Sequence, residues 1–325
     1  MNRLGWCFIG AGSIANRVAK DLPLADGSYA AAVWSRKFEN AQTFAETYGA
    51  HPYKTAGEAM RDPAVKAVYV ATPHPFHRDA TLEALRLGKP VLCEKPLAMN
   101  LPEAQEMVNT AREKGIYLLD GLWTRHNPVI KQALAWVKEG RIGKVRSLQA
   151  SFSFYNAFNP ASRLHAPELG GGAVLDVGVY TIAMARFLFE REPVEVSATA
   201  NFSPLGVDTL CAMRFTYGDG TIARLFCGIS ASEPQDACIA GEAGHIIIPK
   251  FWAPRSARLH TSDAVETYAP GFSGEGFQFE FNAAAADILA GKKENDLVTH
   301  QMSLDILGLI DNVMKLSGSK ESARI

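Results

Sequence analysis

The fold of this chain is decided by residues 4–15, which read LGWCFIGAGSIA. An apolar run typical of a buried strand leads directly into a glycine-rich turn, and the turn opens a helix. Gly10 allows the tight turn, Gly12 lets the backbone approach a pyrophosphate, and the small Ala15 allows the helix to pack closely on the strand. Because the N-terminus of that helix faces the same point, the stretch predicts a dinucleotide-binding site. Four residues are expected to surround the phosphates: Gly10, Gly12, Ser13 and Ile14.

The first 120 residues alternate between short apolar runs and segments of helical period. Strands are predicted at Leu4–Gly10, Tyr29–Ser35, Lys66–Thr72, Pro90–Glu94 and Ile116–Asp120. Helices are predicted at Ser13–Leu24, Glu39–Gly49, Phe76–Gly88 and Pro102–Gly115. Such alternation is typical of a parallel sheet covered by helices on both faces. We therefore expect an α/β fold whose N-terminal part, residues 1–120, is a Rossmann dinucleotide-binding domain.

The regular alternation of predicted strands and helices ends at about residue 121. Helices at Pro128–Gly140 and Val174–Glu190 flank a long predicted strand, Lys144–Phe154. Closely spaced strands follow at Val194–Phe202, Thr209–Tyr217, Thr221–Gly228, Ala237–Gly241 and His245–Ile248. The hairpin turn at 217–220 indicates antiparallel pairing. Residues 121–325 are therefore predicted to form an α+β domain for substrate binding and dimerisation, with a large, mainly antiparallel open sheet. Its last two helices can pack on either domain: Glu275–Ala290 and His300–Ser317.

The composition excludes several classes of protein. With 33 Lys and Arg residues against 34 Asp and Glu, and no basic run, the chain does not attract nucleic acid or an anionic membrane surface. Its five cysteines form no C-x-x-C pair, which indicates a reducing compartment and no structural zinc or other metal. Glycines interrupt the apolar run near the N-terminus, and no later segment has the ~18 uninterrupted apolar residues of a membrane span. We expect a cytoplasmic protein.

The end of the second predicted strand bears on the choice of dinucleotide. An acid ~20 residues beyond the glycines usually holds a free ribose 2′-hydroxyl, whereas a 2′-phosphate calls for Arg or Lys. The strand ends in Ser35, Arg36 and Lys37, and the first acid is Glu39. This pattern favours NADP over NAD, with a solvated basic loop as the alternative.

Two separate stretches carry candidate catalytic residues. Lys95 follows a predicted parallel strand, at the edge where ligands bind on open α/β sheets. Asp176 and Tyr180 lie four residues apart on a predicted helix and so share one face. Each stretch has a structural alternative: a proline-capped surface lysine, and a core tyrosine that makes one hydrogen bond. An ammonium beside a tyrosine would favour the phenolate, the form that takes a proton from an alcohol.

Five motifs run through the chain: GAGSIA at 10–15, ATPHPFH at 71–77, GKPVLCEKP at 88–96, WTR at 123–125, and the stretch from GGG at 170–172 to Tyr180. With them the chain resembles the glucose-fructose oxidoreductase and inositol dehydrogenase superfamily, Gfo/Idh/MocA, over nearly its whole length. Glu94-Lys95-Pro96 is the most specific of these motifs. At Tyr180 and at Ser35-Arg36 the chain resembles one branch of the family, that of dimeric dihydrodiol dehydrogenases and NADP-dependent D-xylose dehydrogenases.

The resemblance implies that Lys95 and Tyr180 handle a proton, with Asp176 alongside. It implies a cis Lys95-Pro96 bond, and a homodimer or dimer of dimers formed through the open face of the second-domain sheet. Two departures stand out, since His74 replaces the family's common Asn and His126 replaces its usual Phe. Residues implied to line the cofactor cleft are Thr72, His74, His77, Glu94, Lys95, Trp123 and Arg125.

These patterns predict an NADP-dependent oxidoreductase that transfers hydride between the nicotinamide and a secondary alcohol or carbonyl. The expected substrate is a small polyhydroxylated ring, a sugar or a cyclic diol. Phe154, Trp252 and Phe279 are candidates for an apolar wall against that ring, with core packing as their alternative role. Two further functions stay open: a glycosidase of the same superfamily that recycles bound NAD, and a sensor of dinucleotide or sugar that performs no chemistry.

Overall fold

The computed structural model describes residues 3–318, which form two compact units. The first contains the described residues up to Trp123 together with Phe272–Leu304; the second contains Thr124–Gly271 and the described residues from Asp305 onward. The helices are α1 (Ser13–Asp21), α2 (Phe38–Tyr48), α3 (Ala56–Arg61), α4 (His77–Arg86), α5 (Leu101–Lys114), α6 (Pro128–Lys138), α7 (Val179–Phe189), α8 (Gln278–Leu289) and α9 (His300–Leu316). The strands are β1 (Leu4–Ile9), β2 (Ser28–Trp34), β3 (His51–Tyr53), β4 (Ala67–Val70), β5 (Val91–Glu94), β6 (Leu118–Gly121), β7 (Val145–Ser153), β8 (Glu195–Phe202), β9 (Asp208–Thr216), β10 (Ile222–Gly228), β11 (Ala237–Gly241), β12 (Gly244–Ile248), β13 (Ala257–Thr261) and β14 (Val265–Tyr268).

The first unit contains a six-stranded parallel sheet in the order β3-β2-β1-β4-β5-β6. The chain order reverses beside β1, so the ligand-binding edge of the sheet lies at Gly10, where β1 ends. This arrangement confirms the predicted Rossmann fold. The sequence patterns missed β3 because it has only three residues and contains a proline, which confines it to an edge of the sheet.

Helix α8 belongs to the first unit, one of the two placements that the sequence left open for the last helices. One carboxylate oxygen of Asp21 accepts hydrogen bonds from the backbone amides of Glu275, Gly276 and Phe277, at 2.6, 2.9 and 3.3 Å. On α8 itself, the ring of Phe281 packs edge-on against Trp6, with 4.8 Å between centroids. The segment 272–304 therefore belongs to the first unit because Asp21 binds its start and Trp6 packs against its core face.

The second unit contains an eight-stranded sheet in the order β14-β13-β12-β11-β7-β10-β9-β8. Every neighbouring pair is antiparallel except β7 and β10, which run parallel, so the predicted mainly antiparallel sheet is confirmed. The sequence patterns missed β13 and β14. Strand β14 is exposed along most of its length and contains no apolar run, so its sequence gives no strand signal.

One helical stretch, Pro167–Phe189, is long and apolar enough to cross a membrane by length and composition. Within the structure, 83% of its apolar window is buried, as in the core helix of a globular protein. The sequence prediction required an uninterrupted run, and Asp176 and Arg186 interrupt this one.

Candidate active site

A cavity of about 580 Å³ opens at the carboxyl end of β1 in the first unit. Gly10 has a φ of +110°, and a Cβ there would lie 2.5 Å from the carbonyl oxygen of Ala71, so only glycine fits this turn. Gly12 differs, because a Cβ there would extend into open space. The cavity is lined by Ile9, Gly10, Ala11, Gly12, Trp34, Ser35, Arg36, Lys37, Asn40, Ala56, Ala71, Thr72, Pro73, Phe76, Asp79, Ala80 and Glu83.

The residues around the cavity fit a dinucleotide. Gly12 is the N-cap of α1 and supplies no capping side chain, so the first amides of the helix can meet an anion in the open space beside it. Arg36 and Lys37 are exposed at the cavity, and neither forms an ion pair with another residue of the described chain. Both side chains are therefore available to a phosphate.

Six of the predicted cofactor residues line the cavity: Gly10, Gly12, Ser35, Arg36, Lys37 and Thr72. Ser13 and Ile14 form the first turn of α1 beside Gly12. The other predicted cofactor residues lie outside this cavity, among them Lys95 and Arg125. Three residues of the lining were not predicted, although their spacing of three and seven residues is typical of one helix face: Phe76, Asp79 and Glu83.

His77 connects two loops instead of lining the cavity. Its ring is fully buried, and its Nδ1 and Nε2 lie 2.9 Å from the carbonyl oxygens of Pro96 and Thr72. Carbonyl oxygens only accept, so both hydrogen bonds form together only when the ring carries two protons. His74 is also buried, with its ring 5.6 Å from that of His77. His77 therefore joins the loop after Lys95 to the edge of the cavity at Thr72.

Lys95 follows β5 and precedes a cis peptide bond to Pro96, as the family resemblance implied. Strand β6 runs directly beside this point: a Cβ at Gly121 would lie 3.1 Å from the Cα of Glu94 and 3.4 Å from the nitrogen of Lys95. Glu94 is buried and accepts a 2.5 Å hydrogen bond from the Tyr69 hydroxyl. Burial raises the pKa of Glu94, against the lowering effects of the Tyr69 hydroxyl and the Lys95 ammonium.

The second unit holds Asp176 and Tyr180 on a helix that is irregular at its start. Val174–Gly178 forms a wide π-turn, and α7 begins only after it. A side chain at Gly178 would meet the sulfur of Cys227 at 2.9 Å, and an oxygen of Asp208 accepts a 2.7 Å hydrogen bond from the amide of Val174. The predicted regular helix from Val174 onward is therefore wrong over its first turn. Single-turn π-bulges of this kind are frequent at functional sites.

Asp176 forms an ion pair with Arg163, 2.9 Å apart, on the loop that precedes the π-turn. Tyr180 is buried, with its ring 5.5 Å from Phe152 and 6.4 Å from Trp252. Arg163 and Phe152 were not predicted from the sequence. Phe152 lies on β7, two positions before Phe154, and strand periodicity was a signal that could have identified it.

The predicted aromatic residues lie in different units. Trp252 stacks on Phe152 at 4.7 Å, and Phe154 lies 6.3 Å from Phe152, all within the second unit. Phe279 belongs to the first unit, where it packs edge-on against Phe272 at 4.9 Å. The rings of the second unit therefore form one group around Tyr180.

Trp123 and Arg125 lie in different units, although they are only two positions apart in the sequence. Trp123 is buried in the first unit, 4.5 Å from the ring of Phe277. Arg125, in the second unit, lies over the ring of Phe187 at 5.5 Å, and burial lowers its pKa. Beside it, burial lowers the pKa of His126 to about 3, so that imidazole is neutral at physiological pH. Within residues 3–318, no three His, Cys, Asp or Glu side chains are grouped so as to hold a metal ion.

Comparison with known proteins gives matches over both units. Residues 4–121 match the oxidoreductase family model described as the NAD-binding Rossmann fold of GFO/IDH/MocA, and residues 130–247 match a C-terminal domain model of the same family. A trans-1,2-dihydrobenzene-1,2-diol dehydrogenase from Xenopus tropicalis is 32% identical over 325 residues, covering 96% of this chain and 98% of that protein. The mouse protein of the same name is 30% identical, and 97% of each chain is covered.

Two solved structures are similar over nearly the whole chain. An aldose-aldose oxidoreductase from Caulobacter crescentus, complexed with glycerol, superposes with a TM-score of 0.89 at 25% identity, covering 97% of this chain and 98% of the other. A 3-ketoreductase from Actinomadura kijaniata, in complex with NADP and TDP-benzene, superposes with a TM-score of 0.87 at 27% identity and the same coverage. That ketoreductase was also solved with one lysine replaced by alanine or glutamate, and with one tyrosine replaced by phenylalanine.

Proposed function

The chain belongs to the Gfo/Idh/MocA family of oxidoreductases and is a dehydrogenase acting on CH–OH groups, and we propose that it uses NADP to interconvert a secondary alcohol and a carbonyl of a sugar or cyclic diol. The observation that carries the cofactor choice is the pair Arg36 and Lys37. Both are exposed, both line the dinucleotide cavity, and neither has an ion-pair partner within residues 3–318. A free guanidinium at this position suits a 2′-phosphate.

The cofactor supplies the hydride acceptor or donor, and the protein supplies the proton chemistry. Tyr180 is proposed as the base that takes the hydroxyl proton of the alcohol during oxidation, and as the acid that returns it to the carbonyl during reduction. A tyrosine has an ordinary pKa near ~10, so the phenolate needs a cation to form near neutral pH. We assign that task to the Lys95 ammonium.

Asp176 is proposed to orient a substrate hydroxyl. Its carboxylate is almost buried, and its ion pair with the half-exposed Arg163 offsets the cost of that burial. The aromatic group of Phe152, Trp252 and Tyr180 offers flat apolar surfaces, which suit the faces of a sugar or a cyclic diol. Relatives named for a cyclic diol and for aldoses support this substrate class.

The test is an assay of the purified protein with NADP or NAD and a panel of aldoses and cyclic diols, followed at the absorbance band of the reduced cofactor. The proposal predicts turnover with NADP on at least one substrate class, and much weaker turnover with NAD. Cleavage of a glycosidic bond with no net oxidation or reduction of the cofactor would contradict the proposal. So would tight NADP binding with no turnover on any substrate of the panel.

We also propose that two copies associate through the open face of the second-unit sheet, and that the protein works in the cytoplasm. Strand β8 alternates half-buried and exposed residues, and the large apolar side chains of Phe202 and Val265 are exposed in this unit. The five cysteines are free thiols, which suit a reducing compartment. Sedimentation of the purified protein as a monomer at micromolar concentration would contradict the association.

A further inference from the structure

Gln235 lies in the loop between β10 and β11 and forms hydrogen bonds with two neighbouring parts of the second unit. Its side-chain Nε2 donates a 3.0 Å hydrogen bond to the carbonyl oxygen of Ser153, the last residue of β7. Its Oε1 accepts a 2.8 Å hydrogen bond from the indole Nε1 of Trp252. Its backbone carbonyl accepts a third hydrogen bond, of 3.1 Å, from the amide of Phe251. Gln235 therefore connects the end of β7 to the chain at Trp252.

The two partners of the Gln235 side chain fix the orientation of its amide. An indole N–H only donates, so the amide oxygen must face Trp252. A backbone carbonyl only accepts, so the amide nitrogen must face Ser153. Glutamate and methionine have side chains of similar length, but neither supplies at neutral pH the donor that the Ser153 carbonyl requires. The site therefore uses both ends of a glutamine amide.

The loop that carries Gln235 is attached to β7 by the side chains of two serines of that strand. The Ser153 hydroxyl donates a 2.5 Å hydrogen bond to the carbonyl oxygen of Ala231. The Ser151 hydroxyl donates a 3.1 Å hydrogen bond to a carboxylate oxygen of Glu233. Gln235 therefore extends from a stretch of backbone that the sheet already positions.

The indole of Trp252 has a stacking partner as well as this hydrogen bond. Its ring lies on that of Phe152, with 4.7 Å between centroids and 10° between planes. An apolar contact of this kind fixes the plane of the indole, but it is non-directional and resists rotation within that plane only weakly. The hydrogen bond from Nε1 to Gln235 is directional and fixes the remaining rotation. Phe152 and Gln235 together give the indole one orientation.

The orientation of this indole matters because Trp252 belongs to the aromatic group around Tyr180. Phe152 covers one face of the indole, and Trp252 is half-buried, so the rest of its ring can contact a ligand. The ring of Tyr180, the proposed acid and base, lies 6.4 Å from that of Trp252 at an angle of 62°. A ring-shaped substrate that packs on the indole is therefore placed relative to Tyr180 by the orientation of the indole.

We propose that Gln235 is a positioning residue that acts through Trp252 and selects ring-shaped alcohols over open-chain ones. Gln235 itself touches neither substrate nor cofactor; it fixes the flat surface on which the ring of the substrate packs. An open-chain alcohol presents no such ring face and gains little from a fixed indole. The selection of substrates rests on the proposed function, whereas the link between Gln235 and Trp252 does not depend on turnover.

The first measurement follows the indole directly. The full-length protein is labelled with nitrogen-15 tryptophan, and the Nε1–H signal of Trp252 is assigned by its absence from Trp252→Phe. Gln235→Met removes the acceptor and should move the proton signal upfield, whereas Gln235→Glu supplies a charged, stronger acceptor and should move it downfield. The signals of the other four tryptophans should stay in place. Gln235→Leu replaces the Met variant if that one does not fold.

The second measurement compares a cyclic probe with an open-chain one. The protein is saturated with NADPH, which accepts no hydride from an alcohol, and trans-cyclohexane-1,2-diol or butane-2,3-diol is titrated in by nuclear magnetic resonance. Gln235→Met should weaken binding of the cyclic diol about three- to tenfold, the effect of about one neutral hydrogen bond, and leave the open-chain diol unchanged. The control is Gln132→Met, which alters a half-buried glutamine of α6 in the same unit and should change neither affinity.

The outcomes separate this role from the proposed reaction. A Trp252 signal that stays in place in a folded Gln235→Met protein would overturn the link. A shifted signal with unchanged affinity for the cyclic diol, an equal loss for both diols, or no binding of either diol to the wild-type protein would overturn the selection of rings. Neither measurement needs turnover. A protein that gives both expected results but oxidises no alcohol with NADP would therefore uphold the role of Gln235 and contradict the proposed function.

Discussion

The dinucleotide cavity of the first unit and the Tyr180 region of the second use different parts of the polypeptide. The cavity is built from backbone: a glycine turn, a helix N-terminus without a capping side chain, and open space beside Gly12. The Tyr180 region is built from side chains on and after a widened helical turn, where Asp208 accepts a hydrogen bond from Val174 and the sulfur of Cys227 leaves no room for a side chain at Gly178. Changes in the first region should therefore alter binding or folding, and changes in the second should alter the rate.

The largest expected effect separates rate from binding. Tyr180→Phe removes one hydroxyl and keeps the ring packed on Phe152, so folding and NADP affinity should stay unchanged. Turnover should fall by ~10²–10⁴, the usual contribution of general acid–base assistance. Lys95→Met should lower turnover by a similar factor. The double variant should lose little more, because both residues are proposed to act in the same proton transfer.

The matched control for Tyr180 is Tyr217→Phe, which alters a buried tyrosine of the same unit whose ring packs on Phe189. Its turnover should stay near the wild-type value. The measurement is kcat and KM for both variants alongside NADP titration and melting curves. Turnover of Tyr180→Phe within about fivefold of wild type, far short of the ~10² minimum, would remove Tyr180 from the proton step.

The next prediction separates the roles of two glycines that line the cavity. Gly10→Ala forces a side chain into a φ of +110° and against the carbonyl of Ala71, which should destabilise the fold by about 2–4 kcal/mol. Gly12→Ala points into open space, so stability should change by less than about 0.5 kcal/mol while NADP affinity falls about tenfold. Urea unfolding and cofactor titration measure the two effects. Equal destabilisation by both variants would show that Gly12 serves the fold and not the ligand.

A smaller effect is expected at the rim of the cavity. Arg36→Ala should weaken NADP binding by about one to two decades, the value of a charged hydrogen bond of ~1.5–3 kcal/mol, and should leave NAD binding nearly unchanged. Lys20→Ala removes an exposed positive charge from the last turn of α1, outside the cavity lining, and should change neither affinity. Titrating both cofactors into the three proteins checks this. Equal losses for NAD and NADP would rule out contact between Arg36 and the 2′-phosphate.

The smallest predicted effect tests how firmly the second region is held. Arg163→Met breaks the ion pair with Asp176, and because Arg163 is 43% exposed the cost in stability should stay below about 1 kcal/mol. Turnover should fall about three- to tenfold if Asp176 orients substrate, a loss of up to one decade or ~1.4 kcal/mol. Arg191→Met breaks a similar exposed pair with Asp219, 2.7 Å apart, and should leave turnover unchanged. Equal kinetics in the two variants would contradict a role for Asp176.

The parts of the molecule that the sequence predicted are those encoded by consecutive residues. Gly10, Gly12 and the basic residues that follow β2 line the cavity because each requires only a local turn. The π-turn at Val174–Gly178 was missed because it depends on Cys227 and Asp208, which no helical pattern near it reveals. A widened turn also shifts side chains relative to the regular spacing of a helix.

Two buried acids, Asp120 and Glu280, show the same limit more strongly. Asp120 lies in an apolar strand and Glu280 in an apolar helix, 160 residues later, so each looks like an isolated polar interruption of a buried element. Their burial in the same unit follows only from the packing of α8 in the first unit. Two of the missed strands have a different cause, since β3 and β14 lack the apolar runs by which strands are identified.

The docking of α8 onto the first unit has a consequence for how the protein is made. On the ribosome, the residues up to Trp123 emerge well before Phe281, which later covers Trp6 and Tyr69. Until then, the nascent Rossmann sheet exposes two aromatic side chains, and Asp21 lacks the three backbone amides that it binds in the finished fold. The dinucleotide-binding unit is therefore completed late in translation, and we expect a fragment ending at Trp123 to aggregate because those aromatic side chains lack their cover.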